Sequence, residues 1–79
     1  MKARQFISEA HFNASTRKGV ERAFDKAWAI VGKNYRSPLA IEAARLKLAN
    51  IVVNLAREGE RDADRLTDRA IRTLLVDDP

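Results

Sequence analysis

The side chains that could do acid–base or nucleophilic chemistry are few and scattered. His11 is the single histidine, and Ser8, Ser15 and Ser37 are the serines. A serine nucleophile needs a base within hydrogen-bond reach and a third group that orients the base. No Ser–His–acid arrangement can be placed from this sequence. Ser15 and Ser37 also stand where helical segments begin, a position in which a hydroxyl caps free backbone N–H groups. The carboxylates lie in charge-alternating stretches rather than in apolar surroundings that would perturb them. The expectation is a chain without catalytic residues, enzymatic activity or a cofactor.

Metal chemistry is equally thin. Asp62, Asp64 and Asp68 superficially resemble a calcium loop, but such a loop needs a glycine at its sharp turn and a closing glutamate. No glycine stands at the turn position and Thr73 occupies the closing one. These acids read better as residues at the positive end of a helix dipole. With no cysteine and one histidine, a structural zinc site is also disfavoured. No metal site and no small-molecule ligand are expected.

Positive charge is the sharper possibility. Lys18, Arg22 and Lys26 recur every four residues, and Arg61, Arg65, Arg69 and Arg72 gather on a second stripe. Arginine suits guanine edges and phosphates. The short connector of Glu58, Gly59 and Glu60 could also pass for the turn of a helix-turn-helix. Against this, Glu58, Glu60, Asp62, Asp64 and Asp68 crowd the second stripe and would repel phosphate. Lys18, Arg22, Lys26, Arg65, Arg69 and Arg72 are therefore a candidate anion or nucleic-acid surface. Self-paired, solvated faces are the simpler expectation.

The elements that must position these groups are helical. Only three glycines and two prolines interrupt 79 residues, and 46% hydrophobic with 33% charged residues is the composition of an ordered chain. In residues 15–31, Thr16, Val20, Ala23, Phe24, Ala27, Trp28 and Val31 recur on one face at the 3.6-residue period. Ser15 or Thr16 would cap this helix. Gly32 falls where a left-handed terminal residue is wanted. Ser37 and Pro38 then give a cap and a first-turn proline for a helix reaching Arg57, roughly 30 Å long at 1.5 Å per residue, with Gly59 marking its end. A third helix starts at the Asp62 cap, with Ala63, Leu66, Ala70, Ile71, Leu74 and Leu75 facing inward and Asp77, Asp78 and Pro79 as a polar end. Before all of these, Ala3, Phe6, Ile7 and Ala10 keep helical spacing for barely two turns, so this piece must dock to exist. The expected fold is all-α: a small three-helix bundle over residues 15–79, with residues 1–14 as a short arm or helix.

The central helix has apolar residues on two sides. Ile41, Ala44, Leu48, Ile51, Val52 and Leu55 form one wide face, while Leu39, Leu46 and Val53 recur every seven residues nearly opposite, flanked by Ala43, Asn50 and Asn54. Charge is normal on such a back face. Either the arm covers this seam with Phe6, Ile7 and Phe12, or another subunit does, most simply a second copy about a two-fold axis. Asn50 could fix a register there, as a polar residue does in coiled coils. Leu39, Leu46, Asn50 and Val53 are thus the candidate interface.

The remaining bulk features bound the setting. Net charge is +4, with +5 in residues 1–36 and −1 in residues 37–79. No stretch has the length of a membrane span, and residues 1–10 carry Lys2 and Arg4 without an apolar run. The Asn13, Ala14, Ser15 glycosylation pattern is taken as chance in that context. Phe24 and Trp28 beside a basic face would suit a membrane surface, but burial in the bundle explains them more economically. The absence of cysteine fits a reducing compartment, and a cytoplasmic location is expected.

The segments Phe24-Asp25-Lys26-Ala27-Trp28, Gly59-Glu60-Arg61-Asp62-Ala63-Asp64-Arg65-Leu66 and Ala70-Ile71 give the chain a resemblance to short uncharacterised helical proteins of bacteria. It covers about residues 20–75 and implies an all-helical fold, with no activity, cofactor or site residue. The function expected is a small protein-interaction or oligomerising module, as a homodimer or with another protein. The alternative is a small basic nucleic-acid-binding regulator.

Overall fold

A chain with so few helix breakers folds as its local signals direct. The computed structural model describes the backbone of residues 2–77 and the side chains of residues 5–76. Four helices follow one another: α1 (Lys2–Glu9), α2 (Ala14–Val31), α3 (Pro38–Arg57) and α4 (Ala63–Asp77), with a 3-10 turn over Gly32–Asn34. No strand occurs among the described residues. The fold is all-α. The side chain of Ala3, and the polar end beyond Asp77, fall outside the described residues.

Each junction has an identifiable cause. Asn13, not Ser15 or Thr16, caps α2: its side chain accepts from the Thr16 N–H at 2.8 Å. An asparagine in extended backbone three residues before that N–H is the stronger acceptor site, so the helix starts at Ala14, earlier than the hydroxyls indicated. The Ser37 hydroxyl accepts from the Ala40 N–H at 3.1 Å, with Pro38 in the first turn of α3. At the other end of α3, Glu60 N–H reaches the Leu55 carbonyl and Gly59 N–H the Ala56 carbonyl. This paired closure requires a left-handed residue between the two bonds, and Gly59 supplies it at φ 115°. Asp62 Oδ1 accepts from the N–H groups of Asp64 and Arg65 and so caps α4.

Gly32 departs from expectation. Its φ of −59° and ψ of −31° are right-handed, and the chain runs on into the 3-10 turn. The glycine is there for space: a Cβ at this position would lie 2.9 Å from Trp28 Cε2. The left-handed residue of the N-terminal half is instead His11, at φ 61° in the α1–α2 connector.

One core serves all four helices. Val20, Ala23, Phe24, Ala27 and Val31 from α2 meet Leu48, Ala49, Val52, Val53, Leu55 and Ala56 from α3 and Leu66, Ala70 and Leu74 from α4. α4 packs against both α2 and α3. Its inner face differs from expectation at two places. Leu75 is 51% exposed, whereas Thr67 turns inward and donates its hydroxyl to the Ala63 carbonyl at 2.8 Å. That bond satisfies the buried hydroxyl within its own helix.

α1 belongs to the same core. Ile7 is fully buried, Phe6, Ala10 and Phe12 pack against the cluster, and α1 lies against both α2 and α3. Eight residues cannot hold a helix alone in water, so docking stabilises α1. Val53 is fully buried in the same cluster as Ile7. It therefore leaves the seam on which its seven-residue spacing had placed it.

Candidate functional site

With Val53 covered, the back of α3 divides in two. At 100° per residue, Leu39, Ala43, Leu46, Asn50, Asn54 and Arg57 share one outward face. All six are exposed, Leu39 to 81% and Leu46 to 43%. The N-terminal half is thus apolar and open. The C-terminal half ends in amides, with Asn54 Nδ2 donating to Asn50 Oδ1 at 3.4 Å. Of the candidate interface, Leu39, Leu46 and Asn50 lie together on this face.

Beside it is a shallow concavity of about 260 Å³, lined by Tyr35, Ala40, Ala43, Ala44 and Lys47. Small side chains on α3 leave this hollow, and the connector after α2 closes one side. Tyr35 is held there by stacking on Trp28, with ring centroids 5.9 Å apart and planes within 10°. The Arg45 guanidinium carbon sits 5.3 Å from the centre of the Trp28 ring, a cation–π geometry. Arg45 Nε is buried with no hydrogen-bond partner among the described residues, and the ring face lies against the same guanidinium. Gly32, Trp28, Tyr35 and Arg45 therefore fix the connector against the start of α3. The sequence carried one sign of this cluster, a glycine one turn after a tryptophan.

The basic candidates separate into paired and unpaired groups. Lys26 Nζ meets Asp64 Oδ1 at 3.0 Å across the α2–α4 boundary. Arg65 Nε and Arg69 Nη1 both approach Glu60 Oε1, at 3.6 and 3.3 Å, and Arg72 Nη2 pairs with Asp68 Oδ2 at 3.3 Å. Glu60 retains only 13% of its side-chain exposure and gathers two arginines from the next helix. Arg61 turns back and donates to the Ala56 carbonyl, near the negative end of α3. Lys18 and Arg22 are exposed and, with Ser15, Gly19 and Ala63, line a second shallow concavity of about 270 Å³. The structure brings the α4 arginines together with acids, not into a free cationic surface. Spacings of five and nine residues from Glu60 lie outside the helical i, i+4 rule, which is why this clamp was not legible.

The groups considered for acid–base chemistry remain apart. His11 is exposed in the α1–α2 connector, Ser8 is exposed on α1, and the Ser37 hydroxyl is engaged at its cap. Asp62 is engaged at the cap of α4. Among the described residues, no group of three or more His, Asp or Glu side chains is placed to share a metal ion. No protein-family model matches the chain, and no curated protein and no solved structure matches it either.

Proposed function

We propose that the chain is a small non-catalytic interaction module that self-associates through the open half of the α3 outward face. The observation that carries this reading is Leu39, 81% exposed one heptad from the 43% exposed Leu46, with Ala43 between them. A single exposed leucine is unremarked on most surfaces. Two on one helix face, separated by an alanine that permits close approach, form a contiguous apolar strip. Burying a leucine side chain fully is worth about 1.5–3 kcal/mol. A 79-residue domain has little stability to spare, so association supplements a small core. The lack of cysteine, and of any helix long and apolar enough to cross a membrane among the described residues, accords with a cytoplasmic setting.

Sedimentation equilibrium across a concentration series tests this, with Leu46→Asp as the variant. The wild-type chain should rise above its 8.9 kDa monomer mass as concentration increases. Leu46→Asp should stay at that mass with unfolding changed by no more than about 1 kcal/mol, because the side chain is 43% exposed and lies outside the core cluster. A strict monomer at high concentration contradicts the proposal.

Nucleic-acid binding is the weaker reading, because the α4 arginines and Lys26 are already paired. Lys18 and Arg22, which have no ion-pair partner among the described residues, would release about two counterions, giving a shallow slope of about −1.8 in log K against log salt. Retention on duplex DNA at low salt that is lost in Lys18→Ala/Arg22→Ala would favour it.

A further inference from the structure

The outward face of α3 carries more than an apolar strip; its flanking charges select an orientation for the second copy. If Leu39 and Leu46 are taken as d positions of a heptad, Ala43 and Asn50 are a positions, Glu42 is g and Lys47 is e. In a parallel, in-register pair of helices, each g residue faces the e residue five positions further along the other helix. Glu42 and Lys47 are five apart. Glu42 is exposed and Lys47, already engaged within its own chain, is half-buried, on opposite margins of the strip. Two-fold symmetry produces the acid–base pair twice. The same operation sets Asn50 against Asn50 of the second copy, where an amide can both donate and accept. An asparagine at an a position is a known determinant of register and of two-stranded pairing.

The antiparallel alternative fits these residues poorly. An antiparallel pair over the same residues sets a against d positions, Ala43 against Leu46 and Asn50 against Leu39, and its margins place Glu42 beside Ala49 and Lys47 beside Ala40, so neither charge meets an opposite one. Asn50 then faces Leu39 of the second copy rather than another amide. Beyond Asn50 the next d residue, Val53, is fully buried in the core that holds Ile7, which ends the strip. The contact thus extends over residues 39–50, about 18 Å of helix.

We infer that this chain forms a parallel, in-register two-fold dimer through residues 39–50 of α3, with Glu42 of each copy paired to Lys47 of the other. The inference rests on the self-association proposed above and adds its orientation and register.

The absence of cysteine makes the test direct, because each introduced thiol is the only one in the chain. A disulfide requires Cα atoms within about 7 Å. Ala43→Cys lies near the axis in either orientation and reports that the two faces meet. Leu39→Cys and Asn50→Cys meet their own counterparts only in the parallel arrangement. The expected result, in a glutathione redox buffer, is a covalent dimer from each of the three variants alone. Each should form at least about tenfold faster than the collisional product of Lys18→Cys on α2, as a raised effective concentration demands. A charge exchange provides a second readout. Glu42→Lys and Lys47→Glu should each weaken association about tenfold, through two symmetry-related repulsive pairs, and the double exchange should restore it.

If the chain sediments as a dimer and Leu39→Cys is captured only when mixed with Asn50→Cys, the helices are antiparallel. The register is then overturned while self-association stands. If the chain sediments as a dimer and none of the α3 thiols is captured, the dimer uses another face, and both the register and the α3 contact fall. A monomer at every concentration, with no thiol captured faster than Lys18→Cys, removes both proposals.

Discussion

Replacing Ile7 by alanine separates a docked helix from a loosely attached arm. The Ile7 side chain is fully buried in the cluster that contains Val53, Leu48 and Phe24. Truncation removes three carbons, about 2.4 kcal/mol of transfer free energy at ~0.8 kcal/mol per carbon. The cavity left behind adds to this, for a total of about 3 kcal/mol within the usual range for such changes. A domain of this size shifts by about 6 °C per kcal/mol, so the melting temperature should fall by ~18 °C. Thermal and urea unfolding followed by circular dichroism measure both quantities. Ser8→Ala, one residue on and exposed, is the control and should stay within about 0.5 kcal/mol of wild type. A loss below about 3 °C for Ile7→Ala would refute the reasoning, because α1 would then contribute nothing to the cooperative core.

The two left-handed junctions predict opposite signs. Gly59→Ala has open space for its Cβ but must hold φ near 115°, so it should cost about 1–2 kcal/mol in urea unfolding at an unchanged slope. His11→Gly relieves a non-glycine residue at φ 61° and should stabilise the chain by about 0.5–1 kcal/mol, read as a raised urea midpoint. Gly32→Ala should destabilise in the wild-type background, because its Cβ would meet the Trp28 ring at 2.9 Å. In a Trp28→Leu background the same change should become stabilising by up to about 1 kcal/mol, since the backbone there is right-handed and favours alanine; the two double-mutant arms are compared by urea midpoint.

Local signals in the sequence were legible and long-range ones were not. The Ser37 and Pro38 start, the Gly59 stop and the Asp62 cap act within four or five residues, so type and spacing suffice to place α3 and the start of α4. Gly32 misled because a terminal glycine looks the same whether it serves a positive φ or the approach of a neighbouring ring. The seven-residue recurrence of Leu39, Leu46 and Val53 was visible, but its division was not. That depends on where α1 comes to rest, through contacts between residues more than forty positions apart. Thr67 and Leu75 exchanged places relative to a hydrophobicity reading because a threonine can satisfy its hydroxyl on its own helix and because Leu75 lies near the end of α4. The paired state of the α4 arginines could be anticipated from the abundance of acids around them. The convergence of Arg65 and Arg69 on Glu60 needed the turn between α3 and α4.

The open apolar strip of α3 is the centre of the functional account, and the solution mass of the unaltered chain tests it most directly. Sedimentation equilibrium of the wild type and Leu46→Asp side by side should give a concentration-dependent rise toward twice 8.9 kDa for the first and a constant 8.9 kDa for the second. Equal masses at the monomer value, at the highest concentration reached, would contradict it.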